Sequence, residues 1–387
     1  MFRPVYILQA ACFSLFLLSG CSTGQAGPQG GQSTPTIQNP ASEPGHETPP
    51  ARPVEPGSFL DAKGYLLPEF QAFAIETSEN LNIPLNQVQA LLSAARLNTT
   101  ALRLMTPSTK HGRRSWIAYR TRHVDPIRIR AGVAFWNEHR DALTRASQTY
   151  GVPPSIIVAI IGIETVYGRY TGNFRVLDTL ATLGFRYPDP DRPERQKMFR
   201  EQLADLIDLD HEGRLDAYSV EGSFAGAIGL PQFMPGSLAK YSADGDADGR
   251  IDVATSIPDA LASVARFLRM HGWTPGLPVF APVRLPPDPS DLVHGGLTPD
   301  LSWQTLQAAG ARLIPNAHSG DAWQHHPLGV IDLPDEPRKQ TEYRTATPNF
   351  FAITHYNRSY FYATSVTDLA HELADRVGYG DPNRIVD

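Results

Sequence analysis

The chain reads as a mainly α (α+β) fold, and three observations predict it. Apolar residues recur at helical spacing through residues 68–150, as in Phe70, Phe73 and Ala74 and then Val88, Leu91, Leu92 and Ala95. Two further helical blocks follow at 155–212 and 235–270. After Gly272-Trp273 the texture changes. Residues 275–345 are proline-rich, with short alternating runs such as Val279-Phe-Ala-Pro-Val-Arg-Leu285, which predicts a small β-containing insertion before helix resumes at 365–377.

Taken in order, the N-terminus sets the compartment. Arg3 precedes an uncharged apolar run over 4–20 that is short for a membrane span and closes on Leu18-Ser-Gly-Cys21. This ending resembles the lipobox of bacterial lipoproteins. The resemblance implies a signal peptide over 1–20 and lipidation of Cys21, the membrane anchor. Ser22, not aspartate, follows the anchor, and by resemblance to enterobacterial lipoprotein sorting this implies an outer-membrane lipoprotein facing the periplasm. The only other cysteine, Cys12, lies in the signal, which leaves no thiol for a disulfide in the mature body. Residues 21–57 are rich in Pro, Gly, Ser, Thr and Gln and carry almost no large apolar residue, so they read as a disordered tether. As a flexible coil it would span about 35 Å.

The body, 58–387, divides into a helical part (58–150), a core (151–274), the insertion (275–345) and a return to the core (346–387). In the first part the segment 127–150 continues the helical pattern with Val133, Trp136, His139 and Leu143, and Gly151 caps it. The net charge of −6 argues against a general affinity for nucleic acid. A monomer is expected.

Glu164 ends the most apolar stretch of the body, Ser155-Ile-Ile-Val-Ala-Ile-Ile-Gly-Ile-Glu164. A helix apolar nearly all round belongs inside a core. Pro153 and Pro154 suit its first turn and Gly168 its end. Burial and the negative end of the helix dipole both favour the neutral acid, which raises the pKa toward the range of a general acid. A structural pairing with Arg169 or Arg175 is the alternative.

The stretch Gly222-Ser-Phe-Ala-Gly-Ala-Ile-Gly-Leu-Pro-Gln-Phe-Met-Pro235 combines turn-forming glycines with Ser223 and Gln232, which can hydrogen-bond the amide and hydroxyl groups of a sugar polymer. A plain Gly-rich turn between helices explains it equally well. Asp244, Asp246, Asp248, Arg250 and Asp252 follow the opening of an EF-hand loop, with Gly249 at position 6 and Ile251 at position 8. Position 12 is Thr255, which cannot supply the bidentate carboxylate. Weakly bound calcium or sodium, or an empty loop, is expected, with Asp252 acting through water and the ion bracing the fold. The alternative is a solvated acidic turn.

Five stretches in this order resemble the lytic murein transglycosylases of the MltB type: Gly162-Ile-Glu-Thr-Val-Tyr-Gly168, Leu177-Asp-Thr-Leu-Ala-Thr-Leu183, Phe185-Arg-Tyr-Pro188, residues 222–235, and Arg266-Phe-Leu-Arg-Met-His-Gly-Trp273. The likeness runs from Phe70 to Ile353-Thr-His-Tyr-Asn-Arg-Ser359. It implies a lysozyme-like core and cleavage of the MurNAc–GlcNAc bond of peptidoglycan glycan strands without water. Glu164 falls on the family's single catalytic glutamate, acid first and base second, and the product is a 1,6-anhydro sugar. No cofactor is implied for the chemistry. Ser223, Gln232, Tyr187, Tyr356, Asn357 and Tyr362 fall on cleft positions, and cell-wall synthases are candidate partners. Tyrosines of the stretch 356–362 could instead fill a β-type core. Departures exist: Phe267 stands where tyrosine is common, residues 188–199 are longer, and a pair of arginines is reduced to Arg195. Two-carboxylate glycosidases need a second acid about 5 to 9 Å away. Glu221 is the only rival, since Asp178 reads as structural. Two other functions stay open: a muramidase hydrolysing the same bond, and a non-catalytic peptidoglycan-binding lipoprotein.

Overall fold

The computed structural model describes residues 57–107, 112–315 and 320–386. Cys21, the signal and nearly all of the tether lie outside these residues. The helices are α1 Pro68–Leu81, α2 Leu85–Ala94, α3 Thr99–Met105, α4 Trp116–His123, α5 Pro126–Glu138, α6 Arg140–Tyr150, α7 Pro154–Thr165, α8 Val176–Phe185, α9 Pro193–His211, α10 Pro235–Tyr241, α11 Ile257–Met270, α12 Trp303–Ala308, α13 Pro348–Thr354 and α14 Tyr360–Arg376. Their starts follow local chemistry. Asn98, Ser115, Asp125, Ser256, Ser302, Thr347 and Ser359 each cap a first turn with a side-chain oxygen. Proline opens α1, α5, α7, α10 and α13, where its missing N–H costs nothing.

Strands are short and antiparallel. β1 (Phe174–Arg175) pairs with β2 (Glu221–Gly222), β3 (Val283–Arg284) with β4 (Arg312–Leu313), and β5 (Gly329–Asp335) with β6 (Gln340–Ala346) in the register Gly329↔Ala346 to Asp335↔Gln340.

The centre of the molecule is α7. Ile156, Ile157, Val158, Ile160 and Ile161 are all within 1% of full burial, and each such side chain contributes about 1.5–3 kcal/mol of hydrophobic stabilisation. Helices α5, α6, α11 and α14 pack around it. Among the described residues no single helix is long and apolar enough to cross a membrane.

The segment 275–345 holds its own small apolar cluster, with Leu301, Trp303, Leu306, Trp323 and Leu328 buried together. The β5–β6 hairpin is tied to α4 and α14. Ser115 donates to Asp335 at 2.7 Å and Trp116 Nε1 to Glu342 at 2.9 Å, while Arg120 and Arg344 both reach the buried Asp368 at 2.6 Å.

Several local expectations differ from the structure. The 127–150 pattern is two helices that meet at His139, which carries no helical continuation between α5 and α6. The block 155–212 splits into α7, α8 and α9 with β1 between the first two. Within 279–285 only Val283–Arg284 is strand, because prolines at 278 and 282 withhold ladder donors. The stretch 356–362 is a helix-to-helix turn and the start of α14, not a β-type core. Helix α7 ends at Thr165, three residues before Gly168, and Val166 takes the left-handed position (φ 50°).

Candidate active site

Three chain segments meet at Glu164. The first is the last turn of α7. Glu164 keeps a partly exposed edge, but its carboxyl is packed closely enough that burial pushes its pKa up to about 7. The opposing effect is a hydrogen bond: Tyr362 Oη donates to Glu164 Oε1 at 2.6 Å, which favours the carboxylate. Desolvation is the larger of the two. Among the described residues no second carboxylate contributes to the displacement. Neither arginine considered as a partner takes that place. Arg175 pairs with Asp178 and donates to the Ala94 carbonyl, and Arg169 is exposed. Asp178 also accepts from Arg96 N at 2.7 Å, a structural bond, and Glu221 is exposed in β2 opposite Arg175.

The second segment is the start of α14 with the turn before it. Tyr362 and Tyr356 are 2% and 3% exposed, their rings stacked at 6.3 Å. Burial holds both phenols well above their ordinary pKa, and the neighbouring Glu164 adds to it. Tyr356 Oη donates to the Pro231 carbonyl at 2.6 Å, and its ring lies edge-on to Phe267 at 4.9 Å. Its side chain therefore braces the Gly-rich loop. Phe267, fully buried, has no need of a hydroxyl there. Asn357 is half-buried at the turn.

The third segment is the loop 222–235. Ser223 Oγ accepts from Ala225 N and Ala227 N, at 3.4 and 3.0 Å, so the serine organises its own turn and keeps its hydroxyl proton as a donor. Gln232 sits in the left-handed region (φ 50°). Its amide donates to the Thr171 and Gly229 carbonyls at 3.1 and 3.0 Å, which ties the loop to the segment after Glu164. Gly222 is required for contact: a Cβ there would lie 2.2 Å from the Ala227 carbonyl oxygen. Gly229 combines φ 69° with a Cβ position 2.4 Å from the Val253 carbonyl.

Tyr187 stands apart. It stacks on Phe199 at 5.8 Å, with its hydroxyl among Arg192, Arg195, Asp189 and Glu194. Sequence reasoning missed Tyr119 of α4, whose ring stacks on His123 at 4.1 Å and whose hydroxyl is near enough to Tyr362 to raise that phenol's pKa. No periodicity marks it.

The acidic loop is joined by a carboxylate from the helix that follows it. Carboxylate oxygens of Asp244, Asp246 and Asp259 lie within 4.8 Å of one another, a group that does not include the carboxylates of Asp248 and Asp252. Asp248 accepts from Arg250 N, and Asp252 from Ala254 N, Thr255 N and the Thr255 hydroxyl. Asp259, four residues beyond Thr255, is 2% exposed and accepts from Gly245 N and Asp252 N, both at 2.7 Å. Burial, with the charges of Asp246 and Asp244 beside it, raises its pKa.

The Transglycosylase SLT domain family matches residues 67–371, which encompass α7, the Gly-rich loop and the start of α14. The membrane-bound lytic murein transglycosylase B of Escherichia coli (strain K12) is 34% identical over 96% of each chain. The chain belongs to the lytic murein transglycosylases of the MltB type. Solved structures agree with this lysozyme-like transglycosylase fold. The soluble lytic transglycosylase SltB1 of Pseudomonas aeruginosa superposes with a TM-score of 0.70 at 36% identity, over 80% of this chain and 100% of that one. The Escherichia coli transglycosylase Slt35, in complex with calcium, gives 0.69 at 34%, over 83% and 97%. As a lytic transglycosylase the protein is a lyase that cleaves peptidoglycan, and Glu164 lies where three segments of its chain converge.

Proposed function

We propose that Glu164 carries the whole proton traffic of the reaction. Protonated at its displaced pKa, it donates to the glycosidic oxygen between MurNAc and GlcNAc. The resulting carboxylate then takes the proton from the C6 hydroxyl of the muramyl sugar while that oxygen bonds to C1, and the product carries a 1,6-anhydro ring. One group can serve twice only if its pKa lies near working pH. The observation that carries this reading is Glu164 held at about 7 with a phenol donor at 2.6 Å and no second carboxylate acting on it among the described residues. The substrate's N-acetyl group would stabilise the cationic centre, the task that a second acid performs in two-carboxylate glycosidases.

Tyr362 orients the carboxyl and stabilises its ionised form between the two proton transfers. Ser223, Gln232 and Asn357 line the sugar-binding cleft, with Tyr356 supporting the loop beneath. Tyr187 would contact a more distant part of the glycan strand. Asp244, Asp246 and Asp259 form a hard, oxygen-only donor set of the kind calcium takes. The ion would draw the loop onto the first turn of α11 and supply no step of the chemistry. The lipobox-like ending at Cys21 supports an outer-membrane anchor facing the periplasm, and the relative from Escherichia coli is membrane-bound.

Mass spectrometry of sacculi digested by purified residues 58–387 tests the reaction. Anhydro-muramyl ends are expected. Reducing ends, heavier by one water, would make the protein a muramidase. Undiminished solubilisation by Glu164→Gln would take the catalytic role away from Glu164, and a wild type that solubilised nothing would leave only a binding role.

A further inference from the structure

Directly after Glu164 and Thr165 the backbone takes three successive left-handed residues: Val166 at φ 50°, Tyr167 at 59° and Gly168 at 85°. Glycine accepts this conformation. A β-branched valine is a strong outlier there, and such conformations persist only where the surroundings over-determine them. The surroundings here do so. Val166 N donates to the Gly162 carbonyl at 3.1 Å, Gly168 N to Thr165 Oγ1 at 3.0 Å, and Tyr170 N to the Thr165 carbonyl at 2.9 Å. Thr165 Oγ1 also approaches the Leu230 carbonyl at 3.2 Å, which joins this turn to the Gly-rich loop. Arg128, buried and paired with Asp125 at 2.6 Å, donates its Nε–H to the same Gly162 carbonyl at 3.1 Å.

Tyr167 fills the space under this turn. A Cβ at Gly132 of α5 would lie 2.2 Å from the Tyr167 hydroxyl, and one at Gly162 of α7 would lie 2.4 Å from it. The ring is therefore keyed between two helices at positions that only glycine permits, and it also lies tilted against Phe135, with ring centroids 5.2 Å apart. Its hydroxyl is buried with no hydrogen-bond partner among the described residues. A buried phenol oxygen in that state is a cost, so hydrogen bonding does not explain a tyrosine here; the reach of the ring does.

We propose that Tyr167 is a positioning residue for Glu164: its ring, wedged between Gly132 and Gly162, holds the left-handed turn that ends α7 and so fixes the direction and dryness of the catalytic carboxyl. Glu164 lies three residues before the wedge and two after one of its glycines. A side chain that relaxed this turn would let α7 continue or fray by a residue, and either change rotates Glu164 away from Tyr362. The role rests on the reaction proposed above. The two are separable, because activity retained by Glu164→Gln would sink the reaction and leave the wedge untouched.

The test compares Tyr167→Phe with Tyr167→Ala in residues 58–387, each checked for folding by circular dichroism. Turnover on purified glycan strands is followed against pH. Tyr167→Phe keeps the ring, so wild-type kcat and an unchanged pH profile are expected. Tyr167→Ala should lower kcat about 10²-fold with little change in KM, the scale of a small misplacement of a catalytic group. Its alkaline limb in kcat/KM should move down by about one pH unit as water reaches Glu164. If Tyr167→Ala does not fold, Tyr167→Leu is read in the same way. A folded Ala or Leu variant with wild-type kcat and an unmoved limb would overturn the proposal, and so would a Phe variant that lost activity as fully as Ala.

Discussion

Replacing Glu164 by glutamine should abolish turnover and yet make the protein more stable at alkaline pH. An unfolded glutamate titrates near its ordinary value of 4.5, whereas the folded one titrates at about 7. Below the lower value both states hold the proton and the group is neutral toward folding. Between the two, the unfolded chain has released a proton that the native chain still holds, so stability falls as pH rises, and the loss is complete above the folded value. The difference of 7 and 4.5, at 1.36 kcal/mol per unit, corresponds to about 3 kcal/mol. Glutamine copies the neutral acid and can still accept from Tyr362, so it escapes that loss. Relative to wild type, Glu164→Gln should melt at the same temperature at pH 4 and on the order of 5 °C higher at pH 8. Differential scanning calorimetry of residues 58–387 at both values decides it. Equal shifts at both values, or a wild type that is the more stable at pH 8, would refute a raised pKa and with it the argument for one carboxyl in two roles.

Tyr362→Phe removes the one side-chain donor to Glu164 among the described residues, worth about 1.5–3 kcal/mol to the ionised form, so the alkaline limb of kcat/KM should move up by about one pH unit or more. A pH–rate profile that shifts the other way would contradict the assigned direction. Asp259→Asn should weaken calcium-dependent thermal protection at least as much as Asp248→Asn, because Asp259 belongs to the carboxylate group and Asp248 does not; melting with calcium and with a chelator measures it. Gly222→Ala drives a methyl to 2.2 Å from the Ala227 carbonyl and should cost about 1–3 kcal/mol with loss of activity, read by urea denaturation and sacculus solubilisation.

The helices, the buried Glu164 and the loop beside it were legible because each depends on local spacing. An apolar run of residues at every position of two turns can only be interior, and a polar residue at its end draws notice for the same reason. What was not legible depends on which surfaces meet. Tyr362 is 198 residues from Glu164 in sequence, and nothing in its own neighbourhood says that its hydroxyl ends at a carboxylate rather than at a backbone carbonyl, as that of Tyr356 does. Asp259 escaped because a helix-opening aspartate reads as a favourable charge at the dipole, a role that needs no loop. The break at His139 escaped because its apolar neighbours stay in phase across it, and the left-handed ending at Val166 because propensity places glycine, not valine, at such a site.

In the reaction proposed for it, Glu164 faces two opposed demands. As an acid it must be dry enough to stay protonated near neutrality, which argues for the centre of the core; as a base it must be stable enough as an anion to wait for the second proton, which argues for donors and water. The end of α7 meets both. The apolar turns before Glu164 remove solvent from one side, and the helix terminus adds its negative end, so the neutral form is favoured. Tyr362, reaching in from α14, offers one donor at 2.6 Å, which supports the anion without hydrating it. A second donor would return the pKa toward the ordinary range and cost the first step; none at all would leave the anion unsupported and cost the second. The balance of one strong donor against the larger effect of desolvation is what places the carboxyl at about 7, and it requires that α7 stop where it does.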